Sequence, residues 1–168
     1  MDLIATASLN STVSSLEFSS IPAGYKDLKI TGIIYGNESN FTSLRMFINN
    51  TSAVEGSNEN TEGGSRSTNT NAQTSSLFVE LPQTSSVACP LGVSIDIGHA
   101  GDTGFVTASY IFSGASFIAH PSYGGRGFYF RGGRLWNFTN RVTQINFDTS
   151  NGTGIGPGTY LSLWGLKQ

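Results

Sequence analysis

A chain of 168 residues with 12% charged side chains, 38% hydrophobic ones and a net charge of -2 fits one domain around one core, with a surface built mostly from neutral hydroxyls and amides. Nine lysines and arginines, four of them at Arg126, Arg131, Arg134 and Arg141, are too few for the salt-dependent phosphate grip of a nucleic-acid binder. The lone Cys89 excludes an intrachain disulfide, and no apolar run approaches the roughly 18 residues of a membrane-spanning helix.

Met1 to Ala7 lacks a basic segment leading into a long apolar run, so no signal peptide is expected. Beyond it, period-two patterns recur and helical ones do not. Leu16 and Phe18 alternate with Ser15 and Glu17. After the turn at Ile21-Pro22-Ala23-Gly24, Leu28, Ile30, Gly32 and Ile34 share one face opposite Lys29 and Thr31. Leu44, Met46 and Ile48 form the next inward row, with Arg45, Phe47 and Asn49 facing the other way. From Thr51 to Thr74 the chain is nearly all Ser, Asn, Thr, Gly and Glu. Such a segment buries too little apolar surface to offset its own ordering entropy, so a long polar loop is expected, with a projecting hairpin or a partner-held arm as alternatives.

Strand signals return at Leu77-Phe78-Val79 and at Val93, Ile95 and Ile97. Phe105 to Ile118 reads as one bent strand or two, broken at Ser113-Gly114. The glycines between His120 and Gly127 predict a loop. Phe128 to Phe130 and Arg141 to Phe147 read as strands, Asn151 to Gly158 as a turn, and Tyr160 to Leu166 as the last strand. Nine or so short strands between turns predict an all-β, antiparallel two-sheet β-sandwich over residues 1–168, with the jelly roll as the favoured topology.

Catalysis has no evident seat. His99 lies near Asp96 and Asp102, but no cysteine or second histidine stands at a zinc-like spacing, and His120 is isolated. Asp96 and Asp148 would serve hydrolysis only if the fold set them a few ångströms apart across a cleft. No Gly-x-Ser-x-Gly elbow picks one serine from the many. The glycine-rich segments at Gly124-Gly127 and Gly152-Gly158 open no helix and lack a Gly-Lys-Ser/Thr ending, which makes them turns and not phosphate cradles. No catalytic, cofactor-binding or metal-binding residue is therefore expected.

The aromatic residues are more suggestive. Phe47 and one face of Phe128-Tyr129-Phe130 should point away from the core, while Tyr123, Trp136 and Phe138 lie in or beside loops. Three roles are open to Phe47, Tyr123, Phe128, Tyr129, Trp136 and Phe138: the centre of a subunit interface, stacking on sugar rings, or ordinary core where both strand faces are covered.

Two stretches carry a resemblance. The run Leu135-Trp136-Asn137-Phe138-Thr139-Asn140-Arg141-Val142-Thr143-Gln144-Ile145-Asn146-Phe147, then a glycine-rich turn and Thr159-Tyr160-Leu161-Ser162-Leu163-Trp164-Gly165-Leu166-Lys167, resembles the closing segment of a group of small tailed-bacteriophage virion proteins. Trp164 and Leu166 replace the group's more usual Tyr and Ile. Near the other end, Phe18-Ser19-Ser20-Ile21-Pro22-Ala23-Gly24-Tyr25-Lys26-Asp27-Leu28-Lys29-Ile30 is similar to the same group's opening. The middle departs, above all Thr51 to Thr74.

The resemblance implies a β-sandwich structural protein on the virion exterior, assembled in the bacterial host cytoplasm, as a capsid decoration or cement or as part of the tail and its fibres. The implied partners are other capsid or tail subunits, and a homotrimer is one assembly that would supply them. The alternative is a receptor- or glycan-binding module of a tail fibre, with a host-surface glycan as partner. Enzymatic depolymerisation would require a converging pair of carboxylates in a groove.

Overall fold

Alternation of apolar and polar side chains sets most of the architecture. The computed structural model describes residues 1–36, 42–62, 65–72, 76–81, 90–101, 104–115, 127–138, 140–150, 152 and 154–167. Among these residues the chain forms twelve strands and no helix: β1 (Asp2–Ser8), β2 (Ser15–Phe18), β3 (Tyr25–Ile34), β4 (Thr42–Ile48), β5 (Glu55–Glu62), β6 (Ser65–Ala72), β7 (Ser76–Leu81), β8 (Leu91–Gly98), β9 (Gly104–Ala115), β10 (Gly127–Phe138), β11 (Ile145–Thr149) and β12 (Tyr160–Lys167). All pairings are antiparallel.

The strands build two facing sheets, ordered β1-β12-β3-β8-β9-β10-β5-β6 and β2-β11-β4-β7. Eight of them, β1-β12-β3-β8 over β2-β11-β4-β7, follow the strand order of a jelly roll. Two hairpins are added to that frame. One, β5–β6, is inserted between β4 and β7, and the other, β9–β10, between β8 and β11. Both join the same sheet beyond β8, so that sheet widens to eight strands while its partner keeps four.

The core lies between the sheets. Phe18, Ile145 and Ile48 form one cross-strand row of the small sheet, and Leu16, Phe147 and Met46 form the next. They meet Leu28, Ile30, Ile34, Ile95, Ile97, Leu161 and Leu163 from the large sheet, all essentially without solvent contact. At about 25 cal/mol per Å² of apolar surface, each such side chain contributes on the order of 2 kcal/mol. Gly32 is required where β3 meets β12, because a Cβ there would stand 2.0 Å from the Tyr160 carbonyl oxygen.

Polar contacts fix register and loops. Three ion pairs join directly opposed residues: Lys29 with Asp96 at 2.8 Å, Arg45 with Asp148 at 2.6 and 2.7 Å, and Arg131 with Glu59 at 2.9 Å. Lys167 and Asp2 pair at 2.6 Å across β12 and β1. Just past β4, Asn49 takes a left-handed backbone (φ 50°). Its Oδ1 accepts from the Thr143 and Gln144 amides at 2.8 and 3.1 Å and from the Thr143 hydroxyl at 3.1 Å, and its Nδ2 donates to the Arg141 carbonyl at 2.9 Å. The segment before β11 is thereby tied to the end of β4.

Two expectations need correction, and one open alternative is decided. Most of the polar stretch 51–74 is a hairpin, β5–β6, the alternative to the expected loop, and it joins the large sheet instead of projecting from the sandwich, because β10 supplies a paired edge on which a segment without its own core can form a ladder. Of the two readings of Phe105 to Ile118, the single strand holds over the described residues, with Phe105 to Ala115 unbroken at Ser113-Gly114. The strand read at Phe128–Phe130 runs on through Gly132 and Gly133 to Phe138.

Candidate functional site on the outer face of the large sheet

Because side chains alternate along every strand, the register of the eight-stranded sheet fixes which residues face solvent. Its two halves differ. Over β1, β12 and β3 the outer face carries Leu3, Tyr160, Leu166 and Ile33, which are 53%, 49%, 44% and 43% exposed. Tyr160 stands directly opposite Ile33, and Trp164 opposite both Leu3 and Lys29. Trp164 is half-buried, and its indole N–H donates to the Thr31 hydroxyl at 3.0 Å, which holds the ring down on the sheet. Among the described residues nothing pairs with the outer edge of β1.

Over β8, β9, β10 and β5 the same face sinks into a trough. Two adjoining hollows of about 880 and 500 Å³ share Ser57, Asp96, Ser109 and Gly133. These four residues form one cross-strand row, Asp96–Ser109–Gly133–Ser57. The trough exists because that row carries only short side chains, while larger ones stand around it: Ile111, Arg131 and Glu59 in the neighbouring row on one side, Leu135 and Glu55 on the other. Lys29 holds Asp96 through its Oδ1, and Arg131 holds Glu59.

Beneath the trough, on the inner face, Arg134 is 3% exposed. Its Nη1 donates to the Ser57 and Gly133 carbonyls at 3.0 and 2.7 Å, and its guanidinium carbon lies 5.5 Å from the centre of the Tyr110 ring. Burial pushes the Tyr110 phenol up to about 12, opposed in part by the neighbouring Arg134 charge, and burial lowers the Arg134 guanidinium from its usual value. Close packing under the trough is tight: a Cβ on Gly132 would stand 2.3 Å from the Ser57 carbonyl oxygen and 2.4 Å from the Tyr110 hydroxyl.

The aromatic residues singled out above do not gather at one place. Phe47 points outward as its strand alternation required, but on the small sheet, half-buried under the Arg45 guanidinium 5.6 Å away. Tyr129 is half-buried on the outer face of the large sheet, two residues along β10 from Arg131. Trp136 and Phe138 are not surface residues. They continue the inward row of β10, Trp136 is 0% exposed, and its indole N–H donates to the Thr51 carbonyl at 3.0 Å. Tyr123 and the side chain of Phe128 lie outside the described residues.

Nor do the acidic candidates meet. Asp96 lies on the outside of one sheet and Asp148 on the outside of the other, each held by its own cation. His99 is exposed beyond β8, with its backbone N–H donating to Asp27 Oδ1 at 3.0 Å. Among the described residues no three His, Cys, Asp or Glu side chains come together as a metal cage would require.

Missing from the sequence reading were Leu3, Ile33, Tyr160 and Leu166 on one sheet face, and Ser57, Asp96, Ser109 and Gly133 as one row. The outward places of Ile33 and Asp96 follow from alternation alone; their neighbours follow only from pairing across strands distant in the chain. Comparison with protein-family models, curated proteins and solved structures finds no match to this chain.

Proposed function

We propose that this protein is a structural subunit on the exterior of a bacteriophage particle, a capsid decoration or tail component that works by adhesion to neighbouring subunits. The observation that supports this best is the set of exposed apolar side chains on the outer face of β1, β12 and β3, with Tyr160 and Ile33 on one side of the polar row Thr6–Ser162–Thr31 and Leu3 and Leu166 on the other, beside a β1 edge that is unpaired among the described residues. Exposed apolar side chains grouped beside an open strand edge are features of contact sites. The small sheet is a contrast within the same molecule. Its outer face bears Ser15, Glu17, Asn146, Arg45 and Asp148, with Phe47 under a guanidinium. A partner laid on the large sheet would gain area from Leu3, Tyr160 and Leu166 and register from main-chain hydrogen bonds along β1. The resemblance of the two chain ends to tailed-phage virion proteins, together with the jelly-roll strand order, favours a virion as the setting. Fold alone does not decide function.

The experiment is incorporation into particles. The polypeptide should be found in purified virions, and the double variant Leu3→Glu, Tyr160→Glu should fold but be depleted from them. Virions without the polypeptide, or full incorporation of the double variant, would overturn the reading.

A further inference from the structure

We infer that the trough across β8, β9, β10 and β5 is a binding site for a neutral oligosaccharide. Its size comes first: hollows of about 880 and 500 Å³ joined through Asp96, Ser109, Gly133 and Ser57 are on the scale of small-ligand sites, about 300–1,000 Å³, and together form an extended groove.

The floor then restricts the ligand. Each of the four strands is hydrogen-bonded on both sides, so the main-chain amides and carbonyls under the trough are committed to ladders. A peptide seeking strand-type pairing finds none there, which sets the trough apart from the β1 edge. What the trough offers is side-chain chemistry. Ser57, Ser109, Ser94 and Thr107 present hydroxyls that both donate and accept. Asp96 accepts from Lys29 through Oδ1, and its side chain is 57% exposed, so the carboxylate is open to a second donor. A vicinal diol supplies donors and acceptors in that mixture, and Ile111 and Leu135 on the two flanks match the C–H faces of a sugar ring.

Charge narrows the class further. Asp96, Glu55 and Glu59 line the trough, the exposed Arg131 is already paired with Glu59, and Arg134 is turned beneath the floor toward carbonyls. Phosphate, sulfate and uronate groups would meet carboxylates there, whereas an uncharged saccharide meets no opposing charge.

The full chain, titrated by amide NMR with neutral hexasaccharides of glucose, mannose and N-acetylglucosamine and with hexagalacturonate as the anionic control, tests the inference. At least one neutral probe should shift the Ser57, Ser109 and Gly133 amides at millimolar concentration, and the uronate should not. Gly133→Leu should weaken that binding at least about tenfold by filling the groove. Its fold should persist, since a Cβ at this position meets only the Ala108 carbonyl oxygen at 3.6 Å. Asp96→Asn, which keeps the shape, should weaken it about tenfold through a lost charged acceptor. No response to any neutral probe, shifts confined to residues outside the trough, tighter binding of the uronate, or a folded Gly133→Leu that binds normally would each overturn the inference. Particle incorporation reads the β1 face and saccharide titration reads the trough, so the two proposals fail separately.

Discussion

Replacing Asn49 should reveal how much of the sandwich depends on one amide. Its side chain makes four hydrogen bonds to residues 141–144, and its own N–H donates to the Gln144 carbonyl at 2.9 Å. Net worth per hydrogen bond is about 1 kcal/mol, and Thr143 is exposed enough for water to replace part of the loss. The amide contacts should therefore total on the order of 2 kcal/mol. Alanine adds a second cost, because a φ of 50° is about 1 kcal/mol less favourable for it than for glycine. Asn49→Ala is expected to lose about 3 kcal/mol and Asn49→Gly about 2, which for a chain of this length corresponds to Tm reductions of about 6–12 °C and 4–8 °C. Urea unfolding, with unchanged m-values as the check that the folded and unfolded ensembles are comparable, measures both. If both variants lie within about 0.5 kcal/mol of the parent, the clamp is incidental; if Gly is less stable than Ala, the backbone argument is wrong.

Two further outcomes follow from the packing. With its folded value pushed up to about 12 by burial, Tyr110 keeps its proton in the folded state after an unfolded phenol, near 10, has released it. Stability is then fully present below pH 10 and declines as pH rises toward 12, by on the order of 3 kcal/mol from this group; urea unfolding from pH 9 to 11 should show a shallower decline for Tyr110→Phe, and parallel slopes would refute the assignment. Gly32→Ala forces a Cβ to 2.0 Å from the Tyr160 carbonyl oxygen and 2.9 Å from Leu161 Cα, backbone atoms that cannot swing aside, and should cost at least about 3 kcal/mol. Gly133→Ala, with only its 3.6 Å contact, should remain within about 0.5 kcal/mol of the parent by the same assay.

Where one strand face is apolar and the other polar, the sequence was legible. Leu28, Ile30 and Ile34, Leu44, Met46 and Ile48, and Val93, Ile95 and Ile97 all face inward as their alternation requires. The β5–β6 hairpin was legible only as an alternative to a loop, because Ser, Asn, Thr, Gly and Glu occupy most of both its faces and leave no apolar period to read. Its order depends on β10, itself hidden by Gly132 and Gly133, which resemble a loop in sequence. In the sheet, Gly132 is present because the Ser57 carbonyl and Tyr110 hydroxyl approach too closely for a side chain. Following period two through those glycines from Phe130 would have assigned Trp136 and Phe138 to the core. The trough had no comparable signal: Ser57, Asp96, Ser109 and Gly133 are unremarkable singly and gain meaning only by register.

The two hairpin insertions account for the asymmetry of the molecule. Without them, β8 would end its sheet, and four strands would face four. With both hairpins added on the same side, the large sheet gains four strands, and its outer face becomes long enough to hold two surfaces of different chemistry. The exposed apolar residues Leu3, Ile33, Tyr160 and Leu166 lie on β1, β3 and β12, which belong to the jelly-roll frame and are anchored to it by the main core. The trough lies on β8 and the added strands, under which Arg134, Tyr110 and Trp136 are packed. Subunit adhesion and saccharide binding would therefore draw on different parts of the chain. A frame shared with other jelly rolls can supply the first, while the second requires the added strands and should be lost when the trough row is filled without disturbing the frame.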